Sequence, residues 1–150
     1  MNSGFLKVAA VSPRVTVGGI KQNLENAIQE LHAAERDGIK LLVFPELYLS
    51  AYTCGDLFLQ QPLLKAAERE LAALIERTAG LPLLAAVGVP VPVHRAPYNC
   101  AAASSARPPL ALPPSTCLPH PADLPCARHH PPAPPCPPPP LHRPRATSAP

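Results

Sequence analysis

Residues 1–103 predict an α/β fold, and three observations carry the prediction. Short apolar runs alternate with segments whose apolar residues recur every three or four positions, the pattern of strand following helix. The runs are apolar on both faces, as strands are when helices cover a sheet. Glycines close the helical segments and a proline breaks the first run.

The first strand is expected within FLKVAAVSP, from Phe5 to the break at Pro13. A helix follows from Ile20. Ile20, Leu24, Ala27, Ile28, Leu31 and Ala34 form its apolar stripe, Lys21, Asn23, Glu25, Glu30 and Glu35 its polar face, and Gly38 its stop. IKLLVFPEL, Ile39 to Leu47, reads as the second strand. After a loop, Leu64, Ala67, Leu71, Leu74 and Ile75 mark a second helix over Leu63 to Ala79, ended by Gly80. Leu81 to Val93 is a third strand, and YNCAAA, from Tyr98, begins a fourth. No internal repeat of useful period is present.

Composition divides the chain of 150 residues in two. Of its 24 prolines, 17 lie in residues 101–150, whereas all seven glycines and all four lysines precede residue 89. The net charge of +3 comes largely from four tail arginines, Arg107, Arg128, Arg143 and Arg145, set against the single acid Asp123. No basic stripe for nucleic acid follows from that. The longest apolar run, Leu81 to Val93, is too short and too broken by proline to span a bilayer, and no targeting segment precedes it, so the expectation is a cytoplasmic protein. Five cysteines without a secretory signal argue against a disulfide framework. From Ser104 on, valine, isoleucine, phenylalanine, tyrosine, glycine, lysine and glutamate are all missing. Residues 104–150 therefore read as a disordered tail with polyproline II character at PPAPPCPPPP.

One carboxylate stands out. Glu46 ends the second apolar run beside Pro45, where desolvation would raise its pKa toward the range of a general base. The rival reading is a solvated strand end. Gly18 and Gly19, before the first helix, lack G-x-G-x-x-G spacing and read as a helix lead-in rather than a phosphate cradle.

LLVFPELYLSAYTCGDLF, a strand ending in Phe-Pro-Glu behind a strand and an amphipathic helix, resembles the nitrilase (carbon–nitrogen hydrolase) superfamily. With YTCGDLF, the helix from Leu63 and PYNCAAA, the chain is most similar to the amide-hydrolysing N-terminal domain of bacterial glutamine-dependent NAD synthetases. The resemblance implies an α-β-β-α sandwich, here incomplete, and a Glu-Lys-Cys triad. In that chemistry the glutamate is the base, the cysteine attacks the side-chain amide of glutamine, and the lysine stabilises the tetrahedral intermediate. Ammonia then serves a separate domain that uses ATP to amidate deamido-NAD, so no cofactor is expected in this chain. Glu46 matches the base and Tyr52 a position lining the glutamine pocket.

The pattern then fails. The family's lysine should lie in the 110s and its cysteine beyond residue 150, yet Lys65 is the last lysine. Cys54 has only a loop near Glu46 to recommend it as a nucleophile, and Cys100 falls in an apolar strand, where a small buried hydrophobe is the usual explanation. Ala51 stands where the family has glycine, which adds strain if that backbone needs a positive φ. Cys117, His120, Cys126, His129, His130 and Cys136 have a spacing that could suit zinc, but no glycine or hydrophobic set surrounds them to form a knuckle. A shift of reading frame near Ala101 to Ser105 in a GC-rich gene accounts for the whole tail; the rival is a proline-rich tail that docks a protein partner.

The sequence therefore predicts an inactive, truncated glutaminase fragment, with a non-enzymatic binding fragment or a piece of another nitrilase-type amidase as alternatives. With half a sandwich, the sheet cannot bury both faces, so self-association through an exposed edge and apolar face is expected.

Overall fold

The computed structural model describes residues 4–93, residues 96–104 and Pro114. The tail features, from the cysteine–histidine spacing to the polyproline run, lie outside the described residues. The elements run β1 (Val8–Ala10), α1 (Ile20–Arg36), β2 (Leu41–Val43), a 3-10 stretch (Tyr52–Leu59), α2 (Gln61–Arg77), β3 (Leu84–Val93) and β4 (Ala96–Ser104). The helices and longer strands fall where the apolar patterns put them. The first two strands are shorter than their apolar runs, and the loop after β2 winds into 3-10 turns kinked at Gly55.

The four strands lie in the order β1-β2-β3-β4. β1, β2 and β3 are parallel, with Leu42 level with Ala9 and Ala85, and β4 returns antiparallel to β3 over nine paired residues, Ala85↔Ser104 to Val93↔Ala96. Crossovers between parallel strands have one hand, so a sheet built outward in chain order receives both helices on the same face. Leu24, Ile28 and Leu31 of α1 and Ala67, Leu71 and Leu74 of α2 pack there on Leu42, Ala85, Val87, Val89 and Ala102. The other face is open over β1 and β2, where Val8 is 60% and Val43 41% exposed. The two-faced apolar character of the strands is thus half used within the described residues. Among them, no helix is long and apolar enough to cross a membrane.

Local chemistry sets the ends. α1 closes at Gly38, whose φ of 70° lets Gly38 N–H donate to Glu35 O and Ile39 N–H to Ala34 O, satisfying carbonyls that a helix end leaves open. β3 carries Pro90 and Pro92 beyond Ala86, the last residue that β2 pairs. A proline has no N–H to give a second neighbour, so it is tolerated where one side of the strand has none.

Asn23 corrects the polar face expected of α1, because its side chain is fully buried. Its Oδ1 accepts from Thr16 N–H at 2.8 Å, and its Nδ2 donates to Thr16 O and Leu49 O, each at 2.9 Å. A buried amide that satisfies two loops is worth more than an exposed polar residue at the same helical position. Asn23→Ala is expected to cost about 2 kcal/mol, since it strands the buried Leu49 carbonyl and removes the partner of Thr16 N–H; a change in urea midpoint equivalent to less than about 1 kcal/mol would contradict this role.

Candidate functional site

β2 ends at Val43 without leaving the sheet. Phe44 N–H donates to Ala86 O at 2.9 Å and Leu49 N–H to Gly88 O at 3.2 Å, so the turn between them crosses over β3. It crosses at Gly88 because only glycine lets it pass. A Cβ there would collide with Leu47 N and Pro45 O and stand 2.8 Å from the Glu46 carbonyl carbon. Leu47 turns the chain with a φ of 50°. Glu46 is thereby delivered at the carboxyl end of a parallel strand, the edge of an α/β sheet where ligands bind.

The carboxylate is exposed rather than desolvated, which corrects the burial expected of it. What it has instead is a fixed neighbour: Asn99 of β4, itself buried, donates from Nδ2 to Glu46 Oε1. A cleft of about 230 Å³ opens beside them, lined by Phe44, Pro45, Ala86 and Gly88 together with Glu46 and Asn99. Neither Gly88 nor Asn99 was marked by the sequence reading. A glycine inside an apolar strand was the available signal for the first. The second, one polar side chain in an apolar strand, becomes informative only once β4 is paired with β3.

The loop leaving Glu46 is tied down from behind. Gly18 N–H donates to Ser50 O at 2.9 Å and Gly19 N–H to Thr16 O at 3.0 Å. Both glycine amides are therefore used within the fold, as a helix lead-in would use them. Ser50 Oγ donates to Leu47 O at 3.1 Å and Cys54 Sγ to Ser50 O at 2.8 Å.

Tyr52 is half-buried and packs against the cluster of Leu47, Cys54 and Phe58. It is not among the residues that line the Glu46 cleft, so the structure does not bring the two site residues together there. Burial pushes the Cys54 thiol up, against an opposing hydrogen bond from the Gly18 backbone, and pushes Cys100 up to about 11. Both are held as thiols at neutral pH, the unreactive form. Cys100 borders the cleft but belongs to the helix-side core. Lys7, Lys21, Lys40 and Lys65 are exposed and none lines the cleft. Among the described residues, no group of three or more histidine, cysteine, aspartate or glutamate side chains could hold a metal ion.

Ala51 does take the positive φ that the sequence comparison with glycine raised, at φ 70° and ψ 144°. This region is close to one reserved for glycine and costs other residues about 1–3 kcal/mol. Ala51→Gly gives up a buried methyl and some rigidity of the unfolded chain, so a net gain of up to about 1 kcal/mol is expected. A loss of that size in thermal unfolding would show that the position is not strained.

No family model matches the chain. It is 38% identical over 98 residues to the glutamine-dependent NAD(+) synthetase of Mycobacterium tuberculosis, a match covering 65% of this chain and 14% of that protein's length. Its fold is that of a glutamine-dependent NAD(+) synthetase from Cytophaga hutchinsonii, with a TM-score of 0.78, 18% identity, and coverage of 86% of this chain and 22% of the other. It is also that of a mutant Nesterenkonia amidase from the nitrilase superfamily, with a TM-score of 0.71, 20% identity, and coverage of 89% of this chain and 51% of the other.

Proposed function

We propose, with this similarity to glutamine-dependent NAD(+) synthetases and the nitrilase-superfamily fold as the premise, that residues 1–103 are part of a glutamine amidohydrolase unit in which Glu46 is the general base. The observation that carries the reading is the seat of Glu46: a carboxylate at the end of β2, turned over Gly88 and held by Asn99 at the mouth of a cleft. A base must be held within reach of the proton it takes, and a carboxylate fixed by Asn99 beside a cleft supports that reading. In the complete reaction a cysteine thiol gives its proton to the glutamate and attacks the glutamine amide. A lysine stabilises the tetrahedral oxyanion, the proton leaves with ammonia, and water releases glutamate from the thioester. The ammonia then serves ATP-dependent amidation of deamido-NAD in another domain, and the hydrolysis itself calls on no cofactor. Tyr52, which does not line the Glu46 cleft, is kept in this reading as a substrate contact outside it, and the reaction takes place in the cytoplasm.

The 150-residue chain does not itself complete that cycle. Lys65 is its last lysine, and the thiols of Cys54 and Cys100 are buried and protonated. Losing a nucleophile removes most of a rate enhancement, whatever binding survives. Purified chain incubated with glutamine is therefore expected to release no ammonia above background, and Glu46→Ala should behave identically. Release that depended on Glu46 would identify a nucleophile within these residues and overturn the inactive-fragment reading.

The uncovered face of the sheet carries a second consequence. Val8, Ala10, Val43, Ala86 and Ala101 share it, bear no charge, and include strongly exposed side chains. Apart from Glu46, whose cleft Val43, Ala86 and Ala101 also line, the surface is apolar and self-similar, and it fits a second copy of the chain laid face to face. Sedimentation is expected to show a dimer or larger species that Val43→Lys shifts toward monomer. A monodisperse wild-type monomer would refute it.

A further inference from the structure

The Asn99 to Glu46 contact joins two residues that are 53 positions apart in sequence and opposite in environment. Asn99 is 3% exposed, and a primary amide buried to that degree costs several kcal/mol unless it is hydrogen-bonded. Its strand gives it no partner of its own kind, since it is level with Pro90, and its side chain points to the face opposite the helices. Glu46, by contrast, is exposed on the turn over Gly88. The bond gives the buried amide an acceptor and the exposed carboxylate a fixed neighbour.

We infer, resting on the reading of Glu46 as the base, that Asn99 is its positioning residue. An amide is suited to the task by its chemistry. It donates to a carboxylate without carrying charge and without titrating near neutrality, so it fixes the orientation of the acid while leaving it free to take up and return a proton. A lysine or arginine in its place would stabilise the ionised carboxylate and weaken it as a base; an aspartate would repel it. The platform is rigid: β4 is paired with β3 along its whole length, and the same β3 supplies Gly88 beneath the turn. Base and positioning residue are thus both referred to one strand, so a displacement of the turn relative to β3 breaks the contact.

The test uses the 150-residue chain labelled with nitrogen-15. The Asn99 side-chain amide, assigned by its disappearance in Asn99→Ser, is expected to show one proton displaced downfield and slowed in exchange with solvent. Both features should vanish in Glu46→Ala, which removes the acceptor, and persist in Glu46→Gln, which keeps a carbonyl there. An Asn99 amide indifferent to Glu46→Ala overturns the contact. A hybrid enzyme, in which residues 1–103 replace the matching segment of the Mycobacterium tuberculosis relative, reads the role. There Asn99→Ala should lower kcat for glutamine hydrolysis about tenfold with KM little changed, and Asn99→Gln should recover part of the loss. Full kcat in Asn99→Ala, with the hybrid still dependent on Glu46, overturns the positioning role and leaves Glu46 as the base. A hybrid indifferent to Glu46→Gln removes the reading of the base itself, whatever the amide spectrum shows.

Discussion

Glu46→Gln in the hybrid enzyme is expected to cut glutamine-dependent turnover by about 10²- to 10⁴-fold, the range a positioned general base contributes. The substitution is chosen for what it preserves. Glutamine is isosteric, its carbonyl can still accept from Asn99 Nδ2, and the exposed turn gains no buried charge. What is lost is the ability to take a proton. Turnover driven by added ammonia should be unaffected, because that route bypasses amide hydrolysis. A loss below tenfold would mean that Glu46 is a structural strand end, and the fold resemblance would then say nothing about its chemistry.

Gly88→Ala is the substitution expected to damage the structure most. The added methyl would meet backbone atoms of Pro45, Glu46 and Leu47, and backbone cannot swing aside as the end of a flexible side chain can. Overpacking commonly costs about 1–3 kcal/mol. With three backbone neighbours the expectation is the upper end, about 3 kcal/mol or more, a large share of the roughly 5–15 kcal/mol that holds a domain folded. Relief by lifting the turn would break Leu49 N–H to Gly88 O and carry Glu46 away from Asn99. Urea unfolding measures the first effect and the Asn99 amide resonance the second. A variant with wild-type midpoint and an unmoved resonance would show that the turn does not rest on β3.

Much of this fold was legible because its elements obey simple periods. The stripe from Ile20 to Ala34 and that from Leu64 to Leu74 are buried as the three-and-four spacing requires, and Gly38 stops α1 for the reason glycine usually does. That a carboxylate would follow the second strand was legible in Phe-Pro-Glu, and the turn after β2 carries it. Less legible was everything that depends on which strand lies beside which. Asn23 was assigned to solvent because period alone cannot distinguish a polar residue facing water from one facing two loops. Asn99 and Gly88 have meaning only through the β3–β4 register, which no local pattern states. The burial expected of Glu46 was not found for the same reason: the turn that carries it lies over β3 at Gly88 and leaves its side chain exposed, an arrangement that only the neighbouring strands define.

The two rims of that sheet decide how it can be joined. β1 offers a rim of only three residues, and the outer side of β4 meets Pro114 opposite Cys100, a residue with a carbonyl to give and no N–H. Short and proline-interrupted rims resist the addition of further strands. Sideways growth into a continuous ribbon is therefore discouraged at both margins, while the apolar plane between them stays open. Association of this chain should consequently close after two sheets have stacked, giving particles of finite size rather than filaments.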